Sequence, residues 1–311
     1  MDLVVPREIV EFATVARKSL SKPGLELARS IESNGRVGDA FEALDALGFS
    51  ELDPTEDAEQ GLAAAHLALE VGRAAIPVPF AAIVVGRSLE LPGATHAVSE
   101  ITGGDFLVDH TRAVPPTHVL DMAGTAHAVT TVDDPGEIRP LAPWAGPVRA
   151  TGETIGLDDA GRRSWAWHEV LSAFSTLGAL EEMLDLTRAH LNERHQFGKP
   201  LRARQALEHR FVDCVVEVAR LREIALYAAW SLSNSDGKPI AAALALRLVH
   251  QEVMTTVPRH AHQLHGAVGF CLEHDLAILN RYLQFRRYQP TSHRDTRSHL
   301  GQYLNDIPSV Y

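Results

Sequence analysis

Two long runs of apolar residues at three- and four-residue steps dominate the second half of the chain. Val170, Phe174, Leu177, Leu180, Leu184 and Leu191 form one, and Leu207, Phe211, Cys214, Val218 and Leu221 form the next. Each run predicts an amphipathic helix. Gly198 and Pro200 punctuate the break between them: glycine tolerates a left-handed helix cap, and proline is accommodated in a first turn. Helices are expected over about 163–193, 201–232, 239–265 and 274–287, with a terminal piece near 293–304. Long antiparallel helices with short loops make a bundle. Ser233-Asn-Ser-Asp-Gly237 reads as a polar turn, Pro239 as a helix start and Pro258 as the cause of a kink near Met254.

The first ninety residues also carry helical stripes. Ile9, Phe12, Ala13, Ala16 and Leu20 share a face behind Pro6, and Phe41, Leu44 and Leu47 form a shorter stripe stopped by Gly48. Asp53-Pro-Thr-Glu-Asp57 predicts a turn and cap before a helix from Ala58 to Gly72. Ile76-Pro-Val-Pro-Phe80 reads as extended, because each proline biases its predecessor away from helix, and helix resumes over 81–89. Between 91 and 160 the period shortens. His118-Val-Leu-Asp121, Ala126 to Val132 and Gly146 to Gly152 read as strands in a unit of four to six. No glycine-rich phosphate loop follows a strand, which argues against a dinucleotide-binding α/β domain. The expected class is mainly α. It comprises an N-terminal helical domain (1–90), a reduced middle β domain (91–160) and a C-terminal four-helix bundle (161–311).

Composition narrows the function classes. A net charge of -11 argues against nucleic acid as the main partner, since phosphate backbones need a basic face. Two cysteines, Cys214 and Cys271, give no disulfide framework, and Cys214 falls on an apolar helix face where a buried thiol is expected. The N-terminus shows no signal peptide pattern and no apolar run reaches membrane-spanning length, so the expectation is a soluble, cytoplasmic protein with no membrane partner. His260, His262 and His265 fall at steps that do not share one helix face, and no acid completes a set, so no metal site is expected.

The candidate chemistry begins at the break. Arg194, Lys199, Arg202 and Arg204 crowd one corner beside a helix start, where free N–H groups and a positive dipole end would favour a phosphate. The ordinary alternative is a helix hairpin with solvated arginines. Arg194-His-Gln-Phe-Gly-Lys-Pro-Leu201, with Gln205 beyond it, resembles the "R-x-Q-F-G-x-P-hydrophobic … Q" signature of the acyl-CoA dehydrogenase family. Gln263-Leu-His-Gly-Ala-Val-Gly-Phe270 is similar to the family's second motif. Glu273-His-Asp-Leu276 resembles the "E-H-D-L" segment next to that motif in short actinobacterial-type members. Leu44 to Phe49 and Leu69 to Phe80 resemble that branch's N-terminal helices. The likeness is strong over 165–285, good over 40–85 and poor between.

That resemblance implies the bundle fold, an acyl-CoA substrate and FAD shared across a subunit interface. It implies that Arg194 and Gln196 hold the diphosphate, Phe197 packs by the adenosine end, and Gln205 completes the first motif. Gln263, Gly266 and Gly269 would line the same cofactor from the adjoining subunit, and Ala267 replaces the family's second glycine. The family removes a proton from the carbon beside the thioester carbonyl with a glutamate from one of two places. At one, Tyr288-Gln-Pro-Thr291 stands for "Y-E-G-T", so Gln289 occupies the base position and cannot accept a proton. At the other, early in the first long helix, the count falls on His168 or Glu169. Glu169 is a candidate base, and the ordinary alternative is a surface glutamate in a helix's first turn. The "T-E-x-x-x-G-S-D" loop that covers the flavin ring has no counterpart; Ile101 to Asp105 comes nearest. The resemblance leaves two main functions. The chain is either the degenerate half of a heteromeric dehydrogenase of steroid or lipid catabolism, beside a full-length partner subunit, or a self-sufficient, homo-oligomeric dehydrogenase using Glu169. A non-flavin helical interaction protein is a third.

Overall fold

The computed structural model describes residues 5–21, 25–26, 28–29, 38–101, 104–109, 114–132, 144–233 and 238–305. Residues 102–103 of the expected loop counterpart and 234–237 of the expected polar turn lie outside them. The N-terminal helices are α1 (Arg7–Leu20), α2 (Gly38–Asp45), α3 (Ala58–Arg73) and α4 (Phe80–Ser88). The Asp57 carboxylate caps α3 by accepting from the Gln60 N–H, so the predicted start holds.

A five-stranded sheet follows: β1 (Ala94–Ala97), β2 (Asp105–Val108), β3 (Pro116–Leu120), β4 (Thr125–Thr131) and β5 (Gly146–Gly156). Its order is β1-β3-β4-β5-β2, with β1 and β3 parallel and the remaining pairs antiparallel. Val98, Val108, Val119, Val129 and Val148 form a small core of their own against it.

The rest is helical: α5 (Asp158–Glu193), α6 (Gln205–Ser233), α7 (Pro239–His265), α8 (Asp275–Gln284) and α9 (His293–Asn305). The amphipathic reading of α5 needs correction. Residues 173–180 are buried on every side, because α3, α4, α6, α7 and α8 surround the helix. Gly72 and Gly178 let α3 cross α5 at backbone contact. A Cβ at Gly72 would overlap the Ser175 backbone, and one at Gly178 the Leu69 carbonyl. One hydrophobic core therefore runs from Ala16 to Leu283. The sheet is sewn to it by Trp165, whose indole N–H donates to the Val98 carbonyl at 2.8 Å.

Candidate functional sites on the bundle

The break between the two long helices differs from the predicted stop and restart. α5 ends at Glu193, and the chain then makes a hairpin of β6 (His195–Gln196) and β7 (Lys199–Pro200). Phe197 (φ 52°) and Gly198 (φ 77°) are its two turn residues; positive φ at both matches the strand twist of a two-residue hairpin. Pro200 is therefore a strand residue, not a first helical turn. A 3-10 turn, Leu201–Ala203, intervenes before α6 starts at Gln205. Phe197 stands 91% exposed, with the Arg204 guanidinium 5.1 Å from its ring.

Behind the hairpin lies a cleft of about 690 Å³, lined by His190, Glu193, Arg194, Gln196, Leu201, Leu207 and residues 263–268. The structure thus brings Arg194, Gln196, Gln263 and Gly266 together on one chain. The C-terminal ends of α5 and α7 converge, so residues of both motifs reach this cleft from one chain. Phe197, Gln205 and Gly269 do not line the cleft. Gln205 lies near His209 on the outside of α6. Gly269 is buried where a Cβ would press on the His265 and Leu276 side chains, so its glycine serves packing. Gly266 ends α7 at φ 65°, ψ -145°, a conformation open essentially to glycine alone. Ala267 is exposed.

The second site is a cavity of about 60 Å³ between α4, α5, α7 and the sheet, lined among others by Phe80, Asp109, Glu169, Arg247, Arg286 and Gln289. Glu169 lies in the fourth turn of α5 and is 1% exposed, so the surface-glutamate alternative fails. Its Oε2 lies 3.9 Å from Nε of Arg247, itself 1% exposed, and its Oε1 lies 3.5 Å from His168 Nδ1. Burial draws the Arg247 guanidinium down to about 10, and Glu169 opposes that shift. Arg247 also donates to the carbonyls of Arg287 at 3.1 Å and Thr291 at 3.4 Å. Gln251 donates to the same two carbonyls at 3.2 and 2.7 Å. The segment carrying Gln289 is thereby clamped to α7. Gln289 itself donates to the Leu107 carbonyl at 3.1 Å.

His250 is wholly buried. Its Nε2 lies 2.7 Å from the Thr176 hydroxyl and its Nδ1 3.5 Å from Arg247. Burial first, then Arg247 and Arg286, push it well below the ordinary histidine range, so it stays neutral. With Nδ1 facing a guanidinium that can only donate, the proton sits on Nε2 and goes to Thr176. Arg286 reaches Ser175 at 2.8 Å and Asp109 at 3.4 Å, tying the bundle to the end of β2. The sequence reading missed Arg247 and His250, although a lone arginine in Ala-Leu-Ala-Leu-Arg-Leu-Val was a visible signal. Among the described residues no His, Cys, Asp or Glu group could hold a metal ion. No helix among them is long and apolar enough to cross a membrane.

Residues 165–290 match the family model of the acyl-CoA dehydrogenase C-terminal domain. Acyl-CoA dehydrogenase IpdE2 of Mycolicibacterium smegmatis is 31% identical over 155 residues, 50% of this chain and 45% of the relative. IpdE2 of Mycobacterium tuberculosis is 32% identical over 118 residues, 38% of this chain and 34% of the relative. The matches thus span less than half the length of these curated relatives. The ChsE4-ChsE5 complex from Mycobacterium tuberculosis superposes with a TM-score of 0.77 at 15% identity, covering 99% of this chain and 100% of the other. The Tcur3481-Tcur3483 steroid ACAD gives 0.78 at 19%, over 96% and 98%. A glutaryl-coenzyme A dehydrogenase gives 0.77 at 16%, over 99% and 98%. The fold is that of the acyl-CoA dehydrogenases, and residues 165–290 are similar to that family's C-terminal domain.

Proposed function

We propose that this chain is one subunit of a FAD-dependent acyl-CoA dehydrogenase of steroid or lipid catabolism. In this reading it is the half that lends a cofactor cleft to a full-length partner carrying the catalytic base. The observation that supports a cofactor shared between subunits is the separation of the two sites. Glu169 lies on α5 and Arg194, 25 residues further on, caps its C-terminal end. At ~1.5 Å per residue that is roughly 37 Å along its axis, farther than an extended flavin dinucleotide reaches. One FAD cannot occupy the Arg194 cleft and the Glu169 cavity of the same chain. The cleft then serves a ring bound in another subunit.

The cleft fits the group it is asked to hold. Arg194 offers a permanent cation with planar donors for a diphosphate, Gln196 and Gln263 add amide donors, and Gly266 leaves its rim without a side chain. FAD, when bound, supplies the hydride acceptor. The cavity fits a catalytic role less well. At about 60 Å³, against 690 Å³ for the cleft, it has room for a few waters rather than an acyl chain. Gln289 cannot accept a proton, and Glu169 faces the Arg247 cation. The names of the ChsE4-ChsE5 complex and the Tcur3481-Tcur3483 steroid ACAD support a two-subunit assembly and a steroid substrate.

One observation favours the self-sufficient alternative. Both Glu169 carboxylate oxygens are buried without a hydrogen-bond donor, as a free base would be. Glu169→Gln in the reconstituted complex separates the two. The proposal expects acyl-CoA turnover nearly unchanged, whereas loss of a true general base lowers the rate roughly 10²–10⁴-fold.

A further inference from the structure

Phe80, Ala81, Ala82, Ala97 and Leu171 give the Glu169 cavity apolar walls, yet two buried charged side chains, Glu169 and Arg247, also line it. Each is 1% exposed. Both Glu169 oxygens and the Arg247 Nε are buried without a hydrogen-bond partner. The other two guanidinium nitrogens are engaged: Nη1 lies 3.5 Å from His250 Nδ1, and Nη2 donates to the Arg287 and Thr291 carbonyls. Nε is therefore the guanidinium nitrogen left without an acceptor. It lies 3.9 Å from Glu169 Oε2, too far for a direct hydrogen bond.

We propose that this cavity binds the hydroxyl of a small neutral alcohol, which donates to Glu169 Oε2 and accepts from the Arg247 Nε–H. The span suits a single oxygen. Bonds of about 2.7 Å to the carboxylate and about 2.9 Å to the nitrogen close the 3.9 Å gap at an angle of roughly 90°. The pair also selects the chemical class. A carboxylate only accepts and a guanidinium only donates, so the ligand atom between them must do both. A nitrile or ketone lacks the donor. An ammonium group would meet the Arg247 and Arg286 cations, and a second carboxylate would meet Glu169; Asp109 is already paired with Arg286 at 3.4 Å. Volume sets the size. A cavity of ~150 Å³ takes the six heavy atoms of benzene, so one of about 60 Å³ takes roughly two or three. Ethanol is of that size. The site goes beyond the cofactor reading and shares no lining residue with the Arg194 cleft, so either can fail without the other.

The test uses the full-length chain with carbon-13-labelled alanine methyls, because Ala81, Ala82 and Ala97 line the cavity. Titration with ethanol should move those methyl signals saturably, with a Kd no tighter than about 0.5 mM, the ceiling for three heavy atoms. Acetonitrile, ethylammonium and acetate are of similar size; the first accepts without donating and the other two are charged. Each should bind at least about tenfold more weakly than ethanol, the loss that follows when a buried polar group is left unmet. Glu169→Leu combined with Arg247→Met replaces the pair by apolar groups of similar volume, a change that buried pairs tolerate. It should weaken ethanol at least about tenfold, since the hydroxyl then has no partner. If that variant fails to fold, the four ligands on the parent chain decide alone. Absence of a saturable ethanol shift, equal affinity for acetonitrile, or unchanged ethanol binding in the folded double variant overturns the proposal.

Discussion

Glu169 shows how a residue's burial changes its meaning. Sequence counting reached it through the family register, and first-turn glutamates are commonly solvated. In the fold it is 1% exposed and its Oε2 lies 3.9 Å from an equally buried arginine. Removing one charge of a buried pair leaves the other uncompensated, at a cost of about 3 kcal/mol. Glu169→Gln should therefore lower chemical-denaturation stability by about that amount, while turnover per folded complex stays nearly unchanged. A matching loss of turnover would make Glu169 the base. Arg194 is the opposite case. It is exposed at a helix end, so Arg194→Ala should shift stability by less than about 0.5 kcal/mol yet strip FAD from the complex. Unchanged flavin occupancy would leave Arg194 a solvated arginine. Its proposed role was legible because motif residues are contiguous. Arg247 and His250 were not, because their partners lie on other helices and only the packed bundle brings them close.

At the level of elements, periodicity found the helices of the second half within a few residues of their observed bounds, because each buries a long face and few glycines or prolines interrupt. It missed β1 and β2, four residues each, which are too short to show alternation. It also read the hairpin after α5 as a helix restart, since a proline and two turn residues are compatible with either. The α3–α5 crossing was hidden too, because a glycine's need for contact appears only when another backbone arrives. Gly72→Ala and Gly178→Ala should each destabilise by about 3 kcal/mol or more through overpacking. Gly301→Ala, in α9 with nothing within 4 Å of the added methyl, should stabilise by about 0.5–1 kcal/mol. Denaturant midpoints of the three variants check both signs. Equal effects at all three would mean that α3 and α5 do not meet at backbone contact.

For the whole molecule, buried neutral histidines set an acid limit. His66 is held at about 4 by burial and by Arg222, His265 at about 4 by burial, and His250 lower than the ordinary range. Unfolding frees these rings to titrate near 6.5. The unfolded chain therefore binds more protons than the fold, and stability falls as pH drops from about 6.5 toward 4. Thermal melts should show a falling Tm across that window, and His66→Leu should flatten part of it. A Tm constant between pH 7 and 5 would contradict the buried assignments. The outer side of α6 carries exposed Val212, Val215, Val216, Tyr227 and Trp230, and Phe197 projects beside its start. An apolar stripe of that kind suits a subunit interface, consistent with a cleft that serves a neighbour's ring. The central claim is tested most directly by the flavin content of the chain purified alone and with a full-length family partner. The account predicts no retained FAD in the lone chain and one FAD per pair of unlike chains in the complex, lost on Arg194→Ala. A lone chain that keeps stoichiometric FAD and desaturates an acyl-CoA would contradict it.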